Sequence, residues 1–146
     1  MRILILNGPN LNFLGIREPE IYGKKNYADL CNTVSSYAEN NDVEVSFYQS
    51  NHEGDLIDAI QKAYFDQIDG IVINPAAYTH TSVAILDALK SVSIPTVEVH
   101  LSDIYSRDKF RQFSYTSLAA EKTIAGEGFD GYRHAMEYLI EQYGNA

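Results

Sequence analysis

Hydrophobic residues follow two spacings along the chain, and the alternation between them predicts strands and helices in turn. Short apolar or alternating runs are typical of strands and occur at residues 3–6, 43–48, 71–73, 96–99 and, more weakly, 123–125. Apolar residues at helical spacing predict helices near Tyr27, Leu56, Val83 and Tyr132, and Asn26 is a suitable N-cap for the first of them. Residues 106–112 indicate one or two further helical turns.

A strand followed by a helix, repeated about five times, predicts an α/β fold with a five-stranded parallel sheet and helices on both faces. This number of strands in 146 residues fits a flavodoxin-like three-layer sandwich. Because there is no sequence repeat or interdomain linker, we expect residues 1–146 to form one domain. Residues 10–25 carry Gly15, Pro19 and Gly23, which predicts a long loop of a kind that is often functional.

The composition excludes several classes of protein. The net charge of −9 argues against nucleic acid as a partner, because duplex binding requires a basic face. No apolar stretch approaches the roughly 20 residues that span a bilayer, and no signal-like segment follows Met1. The single cysteine, Cys31, excludes an internal disulfide framework, and the four histidines lack metal-ligand spacing. We therefore expect a cytoplasmic protein without a metal.

Polar residues follow the predicted strands at the edge where open α/β sheets bind ligands. The first, third and fourth strands end in residues 7–12, 74–81 and 100–103, and these ends should lie near the switch in strand order. Alternation along the fourth strand places Glu98 and His100 on one face. A carboxylate beside an imidazole favours the imidazolium and suits a general acid, although a strand-end histidine that merely satisfies a hydrogen bond has the same pattern.

An anion site on so acidic a chain must be a local basic pocket. Arg107 and Arg111 are four residues apart and share a face if their turn is helical, which suits a carboxylate; an exposed basic turn is the alternative. In the long loop, Arg17 near Tyr22 could stabilise a phenolate and so convert a tyrosine, whose pKa is ordinarily about 10, into a base. With 11 tyrosines in the chain, physics alone does not select Tyr22.

Two further segments allow more than one interpretation. Residues 74–82 offer amide, hydroxyl and imidazole groups, including His80, before a helix, which suits hydroxyl or carboxylate ligands. Ordinary helix capping by Thr81 or Ser82 is the alternative there. Residues 126–131 match a dinucleotide-binding glycine pattern, but too little chain follows for that fold, so we expect a tight strand-to-helix turn.

Taken together, several motifs resemble those of type II 3-dehydroquinate dehydratases over residues 1–143. They are Gly8-Pro9-Asn10-Leu11-Asn12, Leu14-Gly15-Ile16-Arg17-Glu18-Pro19, Tyr22-Gly23, Asn74-Pro75, Thr79-His80-Thr81-Ser82, Glu98-Val99-His100-Leu101-Ser102, Arg107 with Phe110-Arg111, and Gly131-Tyr132 with the final helix. The resemblance implies a hydro-lyase that removes water from 3-dehydroquinate without a metal or organic cofactor. It also implies a homododecamer built from four trimers.

The resemblance assigns roles to individual residues. It implies that Tyr22 is the base and that Arg17 holds its phenolate form, while Asn10 holds a water that stabilises an enolate. It implies that His100, oriented by Glu98, protonates the departing hydroxyl. The substrate-binding residues that it implies are Asn74, His80, Leu101, Ser102, Arg111, Arg107 (which helps to close the loop) and Asp87 (which reaches a neighbouring subunit's site). Asp103 and Gln112-Phe113 depart from the family pattern and put the ordering of the arginine segment in doubt.

Two other functions remain open from the residues. A different small lyase or isomerase on the same scaffold would keep the tyrosine base and change the hydroxyl-binding residues. A flavin carrier needs a hydroxyl-rich phosphate loop after the first strand, where Gly8-Pro9-Asn10 stands, and a phospho-acceptor domain needs an aspartate where Asn74 stands. We also expect residues 11–25 to close over bound substrate.

Overall fold

The computed structural model describes residues 1–16, 18–22 and 24–144, with the side chains of residues 21 and 22 outside the description. The strands are β1 (Arg2–Asn7), β2 (Glu44–Gln49), β3 (Gly70–Asn74), β4 (Thr96–His100) and β5 (Lys122–Ala125). The α-helices are α1 (Pro19–Tyr22), α2 (Tyr27–Asn40), α3 (Glu53–Phe65), α4 (Val83–Val92) and α5 (Asp130–Tyr143). Short 3-10 helices lie at Leu11–Phe13, Ala76–His80, Ile104–Ser106, Lys109–Arg111 and Thr116–Leu118.

The five strands form one parallel sheet in the order β2-β1-β3-β4-β5, as the sequence predicted. The order reverses at β1, because β2 lies on one side of it and β3 on the other. In register, Asn7 at the end of β1 lies beside Asn74 at the end of β3. The carboxyl ends of β1, β3 and β4 are therefore neighbours, where ligands bind in sheets of this kind.

Alternation along the strands divides the core into two halves. On one face of the sheet, buried residues such as Ile5, Val72 and Val97 pack against α2 and α5. On the other face, residues such as Leu6 and Ile73 pack against α3 and α4. The predicted three-layer sandwich is confirmed, with two long helices on each face.

The starts of two helices follow from their sequences. The Asn26 side chain accepts a hydrogen bond from the Asp29 backbone N–H, and the Asp29 carboxylate accepts one from the Asn26 backbone N–H, so the predicted cap of α2 is a complete capping box. The Ser82 hydroxyl accepts from the Ile85 N–H at 2.9 Å at the start of α4. Capping by Ser82, one of the alternatives for that segment, is confirmed.

Two local predictions need correction. The segment predicted as a long loop contains the Leu11–Phe13 turn and α1. The one or two helical turns predicted at 106–112 are present as 3-10 turns at Ile104–Ser106 and Lys109–Arg111, but Arg107 between them has an extended backbone. Asp103, whose side chain accepts from the Tyr105 N–H at 3.0 Å, begins the first of these turns. The spacing of Arg107 and Arg111 is therefore not that of one helix.

The glycine-rich residues 126–131 form the predicted turn between β5 and α5. Gly126 and Gly128 both have positive φ values, 82° and 59°, which side-chain-bearing residues rarely adopt. The Gly126 and Gly128 N–H groups donate to the His100 and Leu101 carbonyls, so the turn supports the end of β4.

Within the described residues, every helix is too short or too polar to cross a lipid bilayer.

Candidate active site

One cleft at the carboxyl edge of the sheet brings together eight of the predicted site residues. They are Asn10, Asn74, His80, His100, Leu101, Ser102, Arg107 and Arg111. Pro9, Leu11, Leu14, Ala76, Ala77 and Ile104 complete its walls. Residues as far apart in sequence as Asn10 and Arg111 thus share one site because the strand ends converge there.

The floor of the cleft is a buried polar network. The Asn74 Nδ2 group donates to the Tyr132 hydroxyl at 3.0 Å, and that hydroxyl donates to Asn7 Oδ1 at 2.6 Å. Asn74 Oδ1 accepts from the Ala76 N–H at 3.1 Å. These bonds fix the orientation of the Asn74 amide and leave its second Nδ2 proton for a ligand.

The turn after β1 depends on a close approach between two loops. The Gly8 N–H donates to the Asn74 carbonyl at 2.8 Å, and a Cβ on Gly8 would lie 2.5 Å from the Pro75 carbonyl oxygen. Asn10 follows with a φ of 70°, and its N–H donates to Asn51 Oδ1 at 3.0 Å. The backbone of Asn10 is thus anchored while its side chain stays exposed at the cleft.

Glu98 and His100 form a buried pair, as their alternation in β4 predicted. Glu98 is 0% exposed and His100 is 4% exposed. His100 Nε2 bonds to Glu98 Oε2, which leaves Nδ1 as the ring nitrogen that can exchange a proton with a ligand.

Three hydroxyl groups surround the Glu98 carboxylate. The Thr79 and Ser114 hydroxyls lie 2.8 and 2.7 Å from Oε2, and the Thr123 hydroxyl donates to Oε1 at 3.2 Å. Burial by itself raises the pKa of Glu98, but the bond and charge of His100 and the hydroxyl bonds outweigh it and lower the pKa below its ordinary value. Glu98 is therefore a carboxylate at neutral pH and an acceptor for the His100 ring.

His80 has a different environment from His100. Its Nδ1 bonds to the Phe113 carbonyl at 2.8 Å, and because a carbonyl only accepts, Nδ1 carries the proton. Burial lowers the pKa of His80, and the nearby charges of His100 and Arg111 act in the same direction. His80 is accordingly neutral near pH 7, with Nε2 as an acceptor for a hydroxyl.

Arg111 supplies positive charge to the cleft. Its guanidinium carbon lies 4.9 Å from the centre of the Phe110 ring, and its Nε lies 3.6 Å from an Asp108 carboxylate oxygen. That Nε is buried and has no hydrogen-bond partner within the described part of the chain. A bound carboxylate would supply an acceptor to a guanidinium in this position.

The remaining predicted residues lie elsewhere. Asp87 is exposed on α4 and is not among the cleft walls. Arg17 and the Tyr22 side chain lie outside the described residues, although α1 ends at Tyr22. No group of His, Cys, Asp and Glu in the described ranges is arranged to hold a metal ion.

The sequence predicted no supporting role for the side chains that hold Glu98 and Asn74 in place. Thr123 lies directly beside Glu98 in the β4–β5 register, so correct strand pairing could have identified it. Ser114 and Tyr132 reach Glu98 and Asn74 from segments 16 and 58 residues away. Short-range sequence patterns do not predict contacts between residues this far apart in the chain.

Comparisons with known proteins agree on one family. The family described as Dehydroquinase class II matches residues 1–140. The chain is 56% identical over 140 residues to the 3-dehydroquinate dehydratase of Bartonella tribocorum, covering 96% of this chain and 93% of the relative. It is 55% identical over 141 residues to that of Carboxydothermus hydrogenoformans, covering 97% and 91%.

Solved structures show the same likeness in three dimensions. The type II dehydroquinase of Butyrivibrio crossotus has a TM-score of 0.94 at 54% identity, with 95% of this chain and 97% of that chain covered. The type II dehydroquinase of Propionibacterium acnes has a TM-score of 0.92 at 41% identity, with 96% of each chain covered.

Proposed function

The chain belongs to the class II dehydroquinase family, and from that premise we propose that it eliminates water from 3-dehydroquinate to give 3-dehydroshikimate. The observation that carries the proposal is the Glu98–His100 pair, which opens into the same cleft as Asn74, His80 and Arg111. Such a cleft offers an acid, hydroxyl partners and a carboxylate partner to one small ring.

The reaction begins with removal of a proton from the carbon beside the ketone. Tyr22 takes this proton as a phenolate, which the Arg17 guanidinium stabilises; the sequence motif is the support for these two roles. The electron pair of the broken C–H bond moves onto the ketone and gives an enolate. A water held by Asn10, at the edge of the cleft, stabilises the enolate oxygen.

The second half of the reaction expels the hydroxyl group. The enolate re-forms the ketone, a carbon–carbon double bond appears, and the C–O bond breaks. His100 donates its Nδ1 proton to the departing oxygen, so the products are an enone and water. Glu98 fixes the ring through Nε2 and stabilises its charged form before the transfer. Tyr22 then releases the abstracted proton and His100 Nδ1 takes up a proton from water, so the starting protonation states return.

Substrate binding divides among the other cleft residues. Arg111 and Arg107 provide the positive charge that a carboxylate needs on a chain with net charge −9. His80, Asn74 and Ser102 provide hydrogen-bonding groups for ring hydroxyls, and the Leu101 backbone contributes beside them. No metal or organic cofactor takes part in these steps.

The wider setting of the enzyme is also part of the proposal. We expect residues 1–146 to act as one catalytic domain in the cytoplasm, in the shikimate pathway or in quinate breakdown. We expect twelve copies to assemble as four trimers. The exposed position of Asp87 on α4 supports contact with a neighbouring subunit's site. Mass measurement in solution tests the assembly.

A direct assay tests the activity. Purified protein is mixed with 3-dehydroquinate, and the enone absorbance is followed. We expect the absorbance to grow with the parent chain and with His134→Ala, whose histidine is on α5 away from the cleft, but to grow far more slowly with His100→Ala. A parent protein that leaves the absorbance unchanged would overturn the proposal and favour a different lyase or isomerase.

A further inference from the structure

The hydroxyl groups around Glu98 come from three separate parts of the fold. Thr79 belongs to the Ala76–His80 turn, Thr123 belongs to β5, and Ser114 follows the arginine segment that carries Arg111. Ser114 is 5% exposed and Thr79 is 0% exposed, so neither hydroxyl is at the surface. Hydroxyls buried in this way around one carboxylate hydrogen-bond to the carboxylate rather than to water, and they stabilise its negative charge.

A count of protons shows what this arrangement requires of Glu98. The Ser114 and Thr79 hydroxyls lie 2.7 Å apart, and each is also within hydrogen-bond distance of Glu98 Oε2. Each hydroxyl has one proton, and both hydroxyls donate it to Glu98 Oε2, so the contact between the two hydroxyls has no proton of its own. Glu98 Oε2 must be an acceptor, because His100 donates to the same oxygen through Nε2. The ring of hydroxyls thus matches an ionised Glu98 and opposes a protonated one.

Ser114 also links the Glu98–His100 pair to the segment of the cleft wall that carries Arg111. The neighbouring Phe113 carbonyl accepts from His80 Nδ1, and the Tyr115 N–H donates to the Thr79 carbonyl at 2.7 Å. Ser114 Oγ itself accepts from the Ser117 N–H at 3.1 Å. The backbone around Ser114 is therefore held on both sides, which keeps its hydroxyl within hydrogen-bond distance of Glu98 Oε2.

We propose that Ser114, acting with Thr79, is a positioning residue that holds Glu98 Oε2 against His100 and thereby sets the acid strength of His100. The inference rests on the proposed function, in which His100 is the acid. Each hydroxyl bond withdraws charge from Oε2, so loss of a bond leaves a more basic oxygen that retains the Nε2 proton more strongly. The charged form of His100 then persists to higher pH and is a weaker acid.

Other titratable groups also face the Glu98–His100 pair. Tyr105 and His80 interact electrostatically with Glu98, Arg111 interacts with His80, and Asp103 interacts with Tyr105. None of these groups bonds to the Ser114 hydroxyl through a contact found in the described residues. A change at Ser114 therefore reports on the hydroxyl bond to Glu98.

The test compares Ser114→Ala with the parent enzyme by two readouts. In the kcat profile, we expect the alkaline limb, where His100 loses its proton, to move up by roughly half a pH unit to one unit. We expect kcat to fall roughly tenfold while KM changes less than about twofold. Without substrate, the NMR titration midpoint of the ¹⁵N-labelled His100 ring should move in the same direction. Ser114→Thr, which keeps the hydroxyl, should restore both.

Ser117→Ala is the matched control. The Ser117 hydroxyl donates to the Ser114 carbonyl at 2.7 Å, in the same turn, and we expect the parent titration from this variant. If Ser114→Ala does not fold, Thr79→Val, which keeps the side-chain shape and removes the other hydroxyl, should give the same upward shift. A His100 midpoint that stays at the parent value in a folded variant of either residue would overturn the inference.

The two readouts separate this inference from the proposed function. A parent protein inactive on 3-dehydroquinate would refute the proposed function. The NMR titration needs no turnover, so it still decides whether Ser114 changes the acid strength of His100.

Discussion

Asn74 and Tyr132 are joined inside the core by a hydrogen bond of 3.0 Å, from the Asn74 amide to the phenolic oxygen, across 58 residues of sequence. Tyr132 is fully buried, and its hydroxyl also donates to Asn7. Because α5 contributes no wall to the cleft, Tyr132 is the means by which this helix determines the orientation of a cleft residue. The core and the site therefore depend on each other at this point.

Tyr132→Phe should weaken both the fold and substrate binding. Removal of the hydroxyl leaves Asn7 Oδ1 and one Asn74 proton without a partner in a dry core, which costs about 1–3 kcal/mol in the free energy of unfolding. The freed Asn74 amide can rotate, so we expect KM to rise more than kcat falls. Urea denaturation and steady-state kinetics measure the two effects.

Tyr138→Phe is the control for Tyr132, since Tyr138 is on the same helix but bonds to Glu121 outside the core. We expect its stability and KM to stay close to those of the parent. Equal losses in the two variants would show that Tyr132 has no special link to Asn74.

Gly8→Ala should be far more damaging than Gly54→Ala. The new methyl group on Gly8 would lie 2.5 Å from the Pro75 carbonyl oxygen, so the two neighbouring loops after β1 and β3, which both line the cleft, must separate. Nothing lies within 4 Å of a Cβ on Gly54, and alanine there favours α3 by roughly 0.5–1 kcal/mol.

Thermal melting and the dehydration assay compare the two glycine variants. We expect Gly8→Ala to have a lower melting temperature and little activity, and Gly54→Ala to melt at or above the parent temperature with full activity. A Gly8→Ala protein of normal stability would mean that the approach to Pro75 is not tight.

Glu98 should make stability depend on pH in the acid range. Its pKa is lower in the folded chain than in an unfolded one, since the bonds from His100 and the hydroxyls outweigh the opposing effect of burial. The contribution to stability is therefore present above the pKa of an unfolded glutamate and is lost as the pH falls through the lower folded value.

Urea denaturation of the parent and of Glu98→Gln across acid pH measures this contribution. We expect the difference in unfolding free energy between the two proteins to be largest near neutrality and to shrink as the pH falls. A difference that is constant with pH would contradict an ionised Glu98 in the fold.

Much of the fold was predictable because its signals are local. The apolar run at residues 71–73, followed by a polar residue, predicted a strand of a parallel sheet, and the strand Gly70–Asn74 is buried throughout. The cap at Asn26 and the shared face of Glu98 and His100 also depend only on neighbours in sequence. These local conformational preferences persist in the folded chain because tertiary contacts favour the same conformations.

The errors and omissions have a common physical origin in contacts across the fold. The arginine segment was predicted as helical turns, but Arg107 has an extended backbone between two 3-10 turns. The hydroxyls of Ser114 and Thr79 gave no periodic signal, since their partner Glu98 is on another element. The residues that line the cleft were identified by motif. The contacts of Ser114 with Glu98 and of Tyr132 with Asn74, which orient two of them, are visible only in the structure.

The central claim is that, in one cleft, Tyr22 removes the proton beside the ketone and His100 protonates the departing hydroxyl, which leaves as water. Proton NMR of 3-dehydroquinate in D₂O, with the parent, His100→Ala and Tyr22→Phe enzymes, tests both steps at once. We predict enone formation by the parent, deuterium exchange beside the ketone without appreciable enone formation by His100→Ala, and neither process above the enzyme-free rate with Tyr22→Phe. Enone formation at the parent rate by either variant would contradict the account.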